Sequence, residues 1–205
     1  MIFDVITFVV AFLIAFVLYP PLIRLLQRIK AGQVIQTELP DSHQRKAGTP
    51  TGGGILFAAL GVAGGLLAAL AGHSGAWPAV AGLVAGGAIG FADDRSKLRI
   101  GSLGIPARLK LPIQLLLAVP VAAIAMSQGG AHQFLLMWPV WLLFPLAVIA
   151  IAATANAVNI TDGIDGLAGG LAVIAIAAVA LLLPHAPAGE TAVAMSLAGA
   201  LVALL

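Results

Sequence analysis

The chain reads as long apolar stretches broken by short polar links. Apolar runs cover residues 2–23, 51–71, 78–92, 111–127, 135–155 and 167–183, and a seventh starts near Thr191. A helix needs about 20 apolar residues to cross a bilayer. Each run therefore predicts a membrane span, and the shorter ones predict helix ends that reach into the neighbouring links. The expected fold is all-α: a polytopic helical bundle of six full spans and a partial seventh. One transmembrane domain is expected over 1–205, with polar links at about 24–50, 93–110 and 156–166. The seventh run stops at Leu205 after 15 residues. That is about 22 Å of helix at 1.5 Å per residue, against a hydrocarbon core of roughly 30 Å, so the chain is expected to stop inside a span. The first run follows Asp4, not a basic segment, and meets Arg24 without a small-residue cleavage site. It predicts a retained span, not a secretory signal.

Composition agrees. Hydrophobic residues make up 61% of the chain and charged ones 9%, against about 25% charged in soluble domains. A net charge of +2 gives no reason to expect nucleic acid, and the absence of cysteine excludes disulfides and thiolate metal sites. The placement of the charges says more. All ten Lys/Arg fall in two links: Arg24, Arg28, Lys30, Arg45 and Lys46, then Arg95, Lys97, Arg99, Arg108 and Lys110. The intervening links near 72–77, 128–134 and 184–190 have none, and hold His73, His132, His185 and Glu190. The positive-inside rule puts the basic links in the cytoplasm and the N-terminus outside. By parity, the 156–166 link is also cytoplasmic.

Gly61/Gly65 and Gly82/Gly86/Gly90 recur every four residues, a spacing that lets helix backbones approach closely in lipid. Both stripes are read as packing sites, and they permit a homodimer. Trp77, Trp138 and Trp141 fall near span ends, where indole favours the interface. The lone histidines of the outer links read as solvated loop residues.

Three segments on the basic side concentrate the polar chemistry. "SHQRKAGTPTGGG", residues 42–54, combines cations, threonines and a glycine run that opens the second span. Backbone N–H groups at a helix start suit a phosphate, although a flexible link with membrane-surface cations has the same composition. It is not a P-loop, since its lysine precedes the glycines. "FADDRSKLRIGSLGIPARLK" sets Asp93 beside Asp94 among cations. Mg²⁺ is commonly bound through one or two carboxylates plus substrate phosphate, and nearby cations offset the repulsion within the pair. The bland alternative is a span that ends in water. In "NAVNITDGIDGLAGG", Asn156, Asn159, Asp162 and Asp165 interrupt apolar sequence at three-residue intervals. A helix would put them on one side, whereas the glycines argue for a broken or re-entrant helix lining a polar cavity. The spacing does not match an EF-hand. Carboxylates at membrane depth with no neighbouring cation are costly and usually functional.

Together the three suit a phosphorylated substrate held through a divalent metal. A transporter would also use polar groups on broken helices, but near the midplane, whereas these cluster on one face. A non-catalytic membrane protein that only packs or assembles is the other alternative.

At these residues the chain resembles the polyprenyl-phosphate N-acetylhexosamine-1-phosphate transferase superfamily. The likeness runs from "GQVIQTELPDSHQRKAGTPTGGG" through "GFADDRSK" and "GIPARLKLPIQ" to "NAVNITDGIDGLAGG". The first of these favours the phospho-N-acetylmuramoyl-pentapeptide transferase branch of bacterial cell-wall synthesis over the GlcNAc-1-phosphate enzymes. The resemblance implies a Mg²⁺-dependent transfer of a phospho-sugar from a UDP-sugar to a polyprenyl phosphate, with release of UMP. It implies undecaprenyl phosphate and UDP-MurNAc-pentapeptide, or another UDP-N-acetylhexosamine, as partners among the membrane lipids. The place implied is a bacterial cytoplasmic membrane, with the active face in the cytoplasm. By the same likeness, Asp93 and Asp94 match a pair serving metal binding and activation of the lipid phosphate. Lys46 and Thr51 match residues lining the cleft, and Asn159, Asp162 and Asp165 match a polar loop in it. Gly52 stands where the family usually has methionine. Family members are also considerably longer, with a further metal-binding Asp in a Gly-Asp-x-Gly-Ser motif and a histidine-rich loop. The chain ends before both and reads as an N-terminal portion.

Overall fold

A computed structural model describes residues 2–28, 52–73, 75–97, 104–128, 138–161, 166–182 and 188–205. Seven helices follow one another along these residues: α1 (Ile2–Arg28), α2 (Gly54–Leu70), α3 (Ala76–Lys97), α4 (Ala107–Ser127), α5 (Val140–Thr161), α6 (Leu167–Leu182) and α7 (Ala188–Leu204). No strand occurs among the described residues. α1, α3, α4 and α5 are long and apolar enough to cross a membrane, and α2, α6 and α7 are shorter apolar helices. Their large side chains point away from the protein: Leu70 is 85% exposed, Trp141 75% and Leu116 71%. A water-soluble bundle would bury such groups, so the faces that carry them belong to lipid. The chain is a polytopic helical membrane protein.

The helices outrun the apolar stretches at their polar ends. α3 continues through Asp93, Asp94, Arg95 and Lys97, α4 takes in Arg108 and Lys110, and α5 runs past Asn156 and Asn159 to Thr161. Backbone N–H and C=O groups near lipid need internal partners, so helical bonding persists after the side chains turn polar. The link expected at 93–110 is therefore helical at both of its edges.

Contacts fix the directions of the helices. Gly61 of α2 faces Leu83 of α3 and Leu197 of α7, and Gly65 faces Val80 and Val193, so α2 runs opposite to both. Gly189, opening α7, lies against His73 and Ala76. α4 and α5 pack through Ala118, Ala122, Val148 and Ala152. At the other end of the bundle, Gly52 before α2 meets Leu26 of α1, and Gly166 before α6 meets Leu205. The starts of α2, α4 and α6 thus share one end with the finishes of α1, α3, α5 and α7. This end carries every Lys and Arg of the described residues, whereas Asp4 and Glu190 lie at the other. Trp77, Trp138 and Trp141 are exposed at the opposite end, where α3 and α5 begin, as interface anchors should be.

α7, expected only as a partial span, is the centre of the packing. Gly189, Ala192, Val193, Ser196, Ala198, Gly199, Ala200 and Leu201 are all buried, under α1, α2, α3 and α6. Its small residues on every side admit four neighbours. The glycine stripes divide. A Cβ on Gly61 would come within 2.7 Å of Leu83, and one on Gly64 within 2.9 Å of the Ser196 Cβ. On Gly65 it would overlap Val80 and Val193. The second stripe is not closely packed among the described residues: Gly82 has only an ordinary contact with Val121 at 3.8 Å, and Gly86 and Gly90 meet none of them within 4 Å. The face of α3 that carries Gly86 and Gly90 is turned away from its neighbours, and four-residue spacing alone does not tell which face that is. Gly90→Ala is accordingly expected to leave the melting temperature in detergent unchanged or slightly raised, since alanine is about 1 kcal/mol the better helix former. A fall of several degrees would mean the stripe is packed.

Candidate active site

Asp93 lies one turn before the end of α3 and is 6% exposed. Its surroundings come from three elements. On its own helix, Lys97 at the i+4 position places Nζ 2.8 Å from Oδ2. From α4, the Lys110 ammonium reaches the same oxygen at 3.5 Å. From the turn before α4, the Ile105 backbone N–H donates to Oδ1 at 2.9 Å.

That turn is dictated by its sequence, Gly104-Ile105-Pro106. Gly104 has φ +100, in the left-handed region, and a Cβ there would sit 2.8 Å from Asp93 Oδ1. Only glycine meets both demands. Pro106 restricts Ile105 to extended backbone, outside the helix, which leaves its N–H for the aspartate. The Pro106 carbonyl then accepts from the Leu109 and Lys110 N–H groups at 2.8 and 3.0 Å, opening α4.

Lys110 carries the network onward by donating to Asn159 Oδ1 on α5 at 3.0 Å. Asp94 is next to Asp93 in sequence but not equivalent to it. Its side chain is 32% exposed against 9% for Asp93, and its Oδ1 stands 3.7 Å from Lys97. Gln114, one turn into the bundle from Lys110, is buried with its Oε1 unpartnered among the described residues.

The structure therefore unites Asp93, Asp94 and Asn159, three of the residues singled out from the sequence. Lys46, Thr51, Asp162 and Asp165 lie outside the described residues. α2 opens at this same end with no side chain capping its first turn. Sequence assigns the cations near the pair only a general offsetting of its repulsion and does not single out Lys97 or Lys110. The signal for Lys97 was its i+4 spacing from Asp93, hidden because the apolar run ends at residue 92. Lys110 is brought in only by the packing of α3, α4 and α5. No group of three or more His, Asp or Glu side chains gathers to hold a metal among the described residues. The donor set still fits a hard cation that takes one or two carboxylates here and its remaining oxygens from a phosphorylated ligand.

Fold and cluster together define a multi-pass membrane protein with a cation–carboxylate–amide site at one end of its bundle. The sequence profile of glycosyl transferase family 4 matches residues 76–205, more than half of the chain, with the whole Asp93–Lys110–Asn159 network inside the match. The chain belongs to that family. Three similar proteins all carry the name phospho-N-acetylmuramoyl-pentapeptide-transferase. The one from Koribacter versatilis (strain Ellin345) is 37% identical over 60% of this chain and 33% of its own length. That of Corynebacterium jeikeium (strain K411) is 44% identical over 60% and 36%, and that of Bacillus cytotoxicus 42% over 58% and 38%. The chain spans about a third of the length of these curated relatives. No solved structure matches it.

Proposed function

We propose that the protein transfers phospho-N-acetylmuramoyl-pentapeptide from its UDP conjugate to a polyprenyl phosphate such as undecaprenyl phosphate, releasing UMP and forming a lipid-linked peptidoglycan precursor. The observation that carries this reading is the Asp93–Lys110–Asn159 network, which ties three helices together at one end of the bundle and within the matched family region. A membrane-end position suits the joining of a water-soluble donor to a lipid acceptor, and is unlike the midplane site of a transporter. The names of the similar proteins support the muramoyl substrate over UDP-GlcNAc. The positive-inside rule assigns this end to the cytoplasm of a bacterial inner membrane, the side that holds nucleotide sugars.

In this reading, an oxygen of the polyprenyl phosphate attacks the sugar-proximal phosphorus of the UDP-sugar. The bond from that phosphorus to the bridging oxygen breaks, and UMP leaves with the electron pair. The lipid phosphate, with a second pKa near 6, is largely ionised at neutral pH, so the chain's task is placement and charge compensation more than proton removal. The aspartate pair would hold Mg²⁺, which when bound supplies neutralisation of the diphosphate and the departing UMP. Lys97 and Lys110 set positive charge beside the carboxylates. By the family resemblance, Lys46, Thr51, Asp162 and Asp165 would serve the same site as substrate-binding residues.

Membranes carrying the full-length protein, given UDP-MurNAc-pentapeptide, undecaprenyl phosphate and Mg²⁺, are expected to release UMP and to stop when EDTA is added. Release from UDP-GlcNAc in place of the muramoyl donor would shift the substrate assignment. Release from neither would sink the transferase reading.

A further inference from the structure

We propose that Gln114 and Asn156 form a polar rung between α4 and α5, and that this rung positions Lys110 and Asn159 at the site. The positioning role rests on the transferase reading; the rung itself does not.

The register of the two helices sets the pair face to face. On α4, Lys110, Gln114, Ala118 and Ala122 recur every four residues and form one stripe. On α5, Asn159, Asn156, Ala152 and Val148 recur every three or four and form another. At the polar end the stripes meet where Lys110 donates to Asn159 Oδ1 at 3.0 Å. Deeper in the bundle, Ala118 and Ala122 share one packed cluster with Val148 and Ala152. Because the helices run in opposite directions, Ala118 comes level with Ala152 and Ala122 with Val148. The level between the polar and the apolar contacts belongs to Gln114 on α4 and Asn156 on α5.

Gln114 is 5% exposed, and its Oε1 has no hydrogen-bond partner among the described residues. A buried amide oxygen without a donor is costly, and the more so near lipid, where water does not compensate. The half-buried Asn156 carries two amide N–H donors and stands opposite. The side chains that pack on the α4–α5 cluster, Leu115, Phe144, Ala147 and Ile151, are apolar and offer none. Terminal amide torsions turn broadly, so the pair closes by side-chain rotation with both helices in place. Asn156 thereby gains a task that the transfer chemistry did not give it.

The site needs such a hold. Lys110 sits in the opening turn of α4 and Asn159 two residues before α5 ends, and terminal turns lack part of their backbone bonding. Pro112, between Lys110 and Gln114, also brings no N–H to the Arg108 carbonyl. An amide rung one turn further in ties both terminal turns to regular helix, in the way that Asn and Gln join helices within membranes.

Two readouts on the full-length protein test this. In detergent, Gln114→Leu and Asn156→Leu are each expected to lower the melting temperature by a few degrees, since each strands the other amide. Gln114→Leu/Asn156→Leu should melt higher than either single variant, because no amide is left stranded. The exchange Gln114→Asn/Asn156→Gln keeps both amides and their summed length, and should melt close to the wild type. In membranes, each leucine single variant should cut kcat for UMP release at least about threefold, with KM for UDP-MurNAc-pentapeptide within about twofold. The exchange should recover most of that activity and the leucine pair should not, because leucines fill the space without fixing a direction. Gln114→Leu melting above the wild type overturns the rung, as does Asn156→Leu melting like the wild type. Activity that returns in the leucine pair along with its melting temperature overturns the positioning role. A wild type that released no UMP would remove the transferase reading alone, and the rung would still stand or fall on the melting temperatures.

Discussion

Gly65→Leu is expected to abolish the folded bundle in detergent. The position lies where α2, α3 and α7 cross, and even a single carbon on Gly65 would overlap Val80 of α3 and Val193 of α7. Both neighbours are buried, Val80 at 6% and Val193 at 3%, in one cluster with Ala68, Ala76 and Ala192. They are β-branched, with little rotamer freedom to yield. Four added carbons would have to push two helices apart, and α7 touches four others. Inserting extra methylenes into a packed core costs about 1–3 kcal/mol, occasionally more. This site belongs at or above the top of that range, because no flexible side chain can move aside. Size-exclusion chromatography should show loss of the monodisperse peak, with Gly90→Leu as the comparison of equal bulk on an open face. A well-behaved Gly65→Leu peak with an unchanged melting temperature would refute the close approach of these helices.

The contrast between those glycines marks what the sequence could and could not reveal. Hydropathy located all seven helices of the described residues, because lipid imposes a length and a polarity that composition reports directly. Residue spacing identified Gly61 and Gly65 as close approaches, whereas Gly82 has an ordinary contact and Gly86 and Gly90 meet no neighbour among the described residues, because a stripe shows that close approach is possible and not that a neighbour is present. Gly64, Gly189 and Gly199 escaped notice although a Cβ on each would collide with an adjoining helix. Their partners are set by which helices meet, and no local pattern encodes that. The same holds for α7. Read as a shortened span, it became the central helix because its alanines, glycines and serine suit a position surrounded by protein, where a strongly hydrophobic surface is unnecessary.

The site divides in the same way. Asp93, Asp94 and Asn159 stood out because carboxylates and amides are conspicuous in apolar sequence. Alternation of the spans put them at one end, as the helix directions require. The identity of the cations beside Asp93 was not legible. Lys46 was the lysine with a motif around it and lies outside the described residues; among those, Lys97 and Lys110 are in contact with Asp93. Lys110 and Asn159 are 49 residues apart in the chain. Such a pair exists only once α4 packs on α5 through alanines small enough to bring the backbones together. The apolar interface deeper in the bundle thus determines the charge arrangement at its end.

Gly104→Val is expected to disable the site while leaving the bundle standing. At φ +100 a β-branched residue is a genuine outlier, and holding a side chain in such a region costs about 1–3 kcal/mol. The new Cβ would also lie 2.8 Å from Asp93 Oδ1 and 3.2 Å from Lys97 Cε. The turn has two ways out. It can move its backbone to negative φ, which withdraws the Ile105 N–H from Asp93, or it can displace the carboxylate from both lysines. Either one breaks the brace between α3 and α4 without touching their deeper apolar approach, where Gly82 faces Val121, about three turns beyond Lys110. UMP release should therefore fall at least about tenfold, with a far smaller drop in melting temperature than Gly65→Leu produces. Gly104→Ala should fall between the wild type and valine, because it keeps the clash and loses the β-branching. Full activity in Gly104→Val would show that the aspartate does not need its turn, and that the cations alone place it.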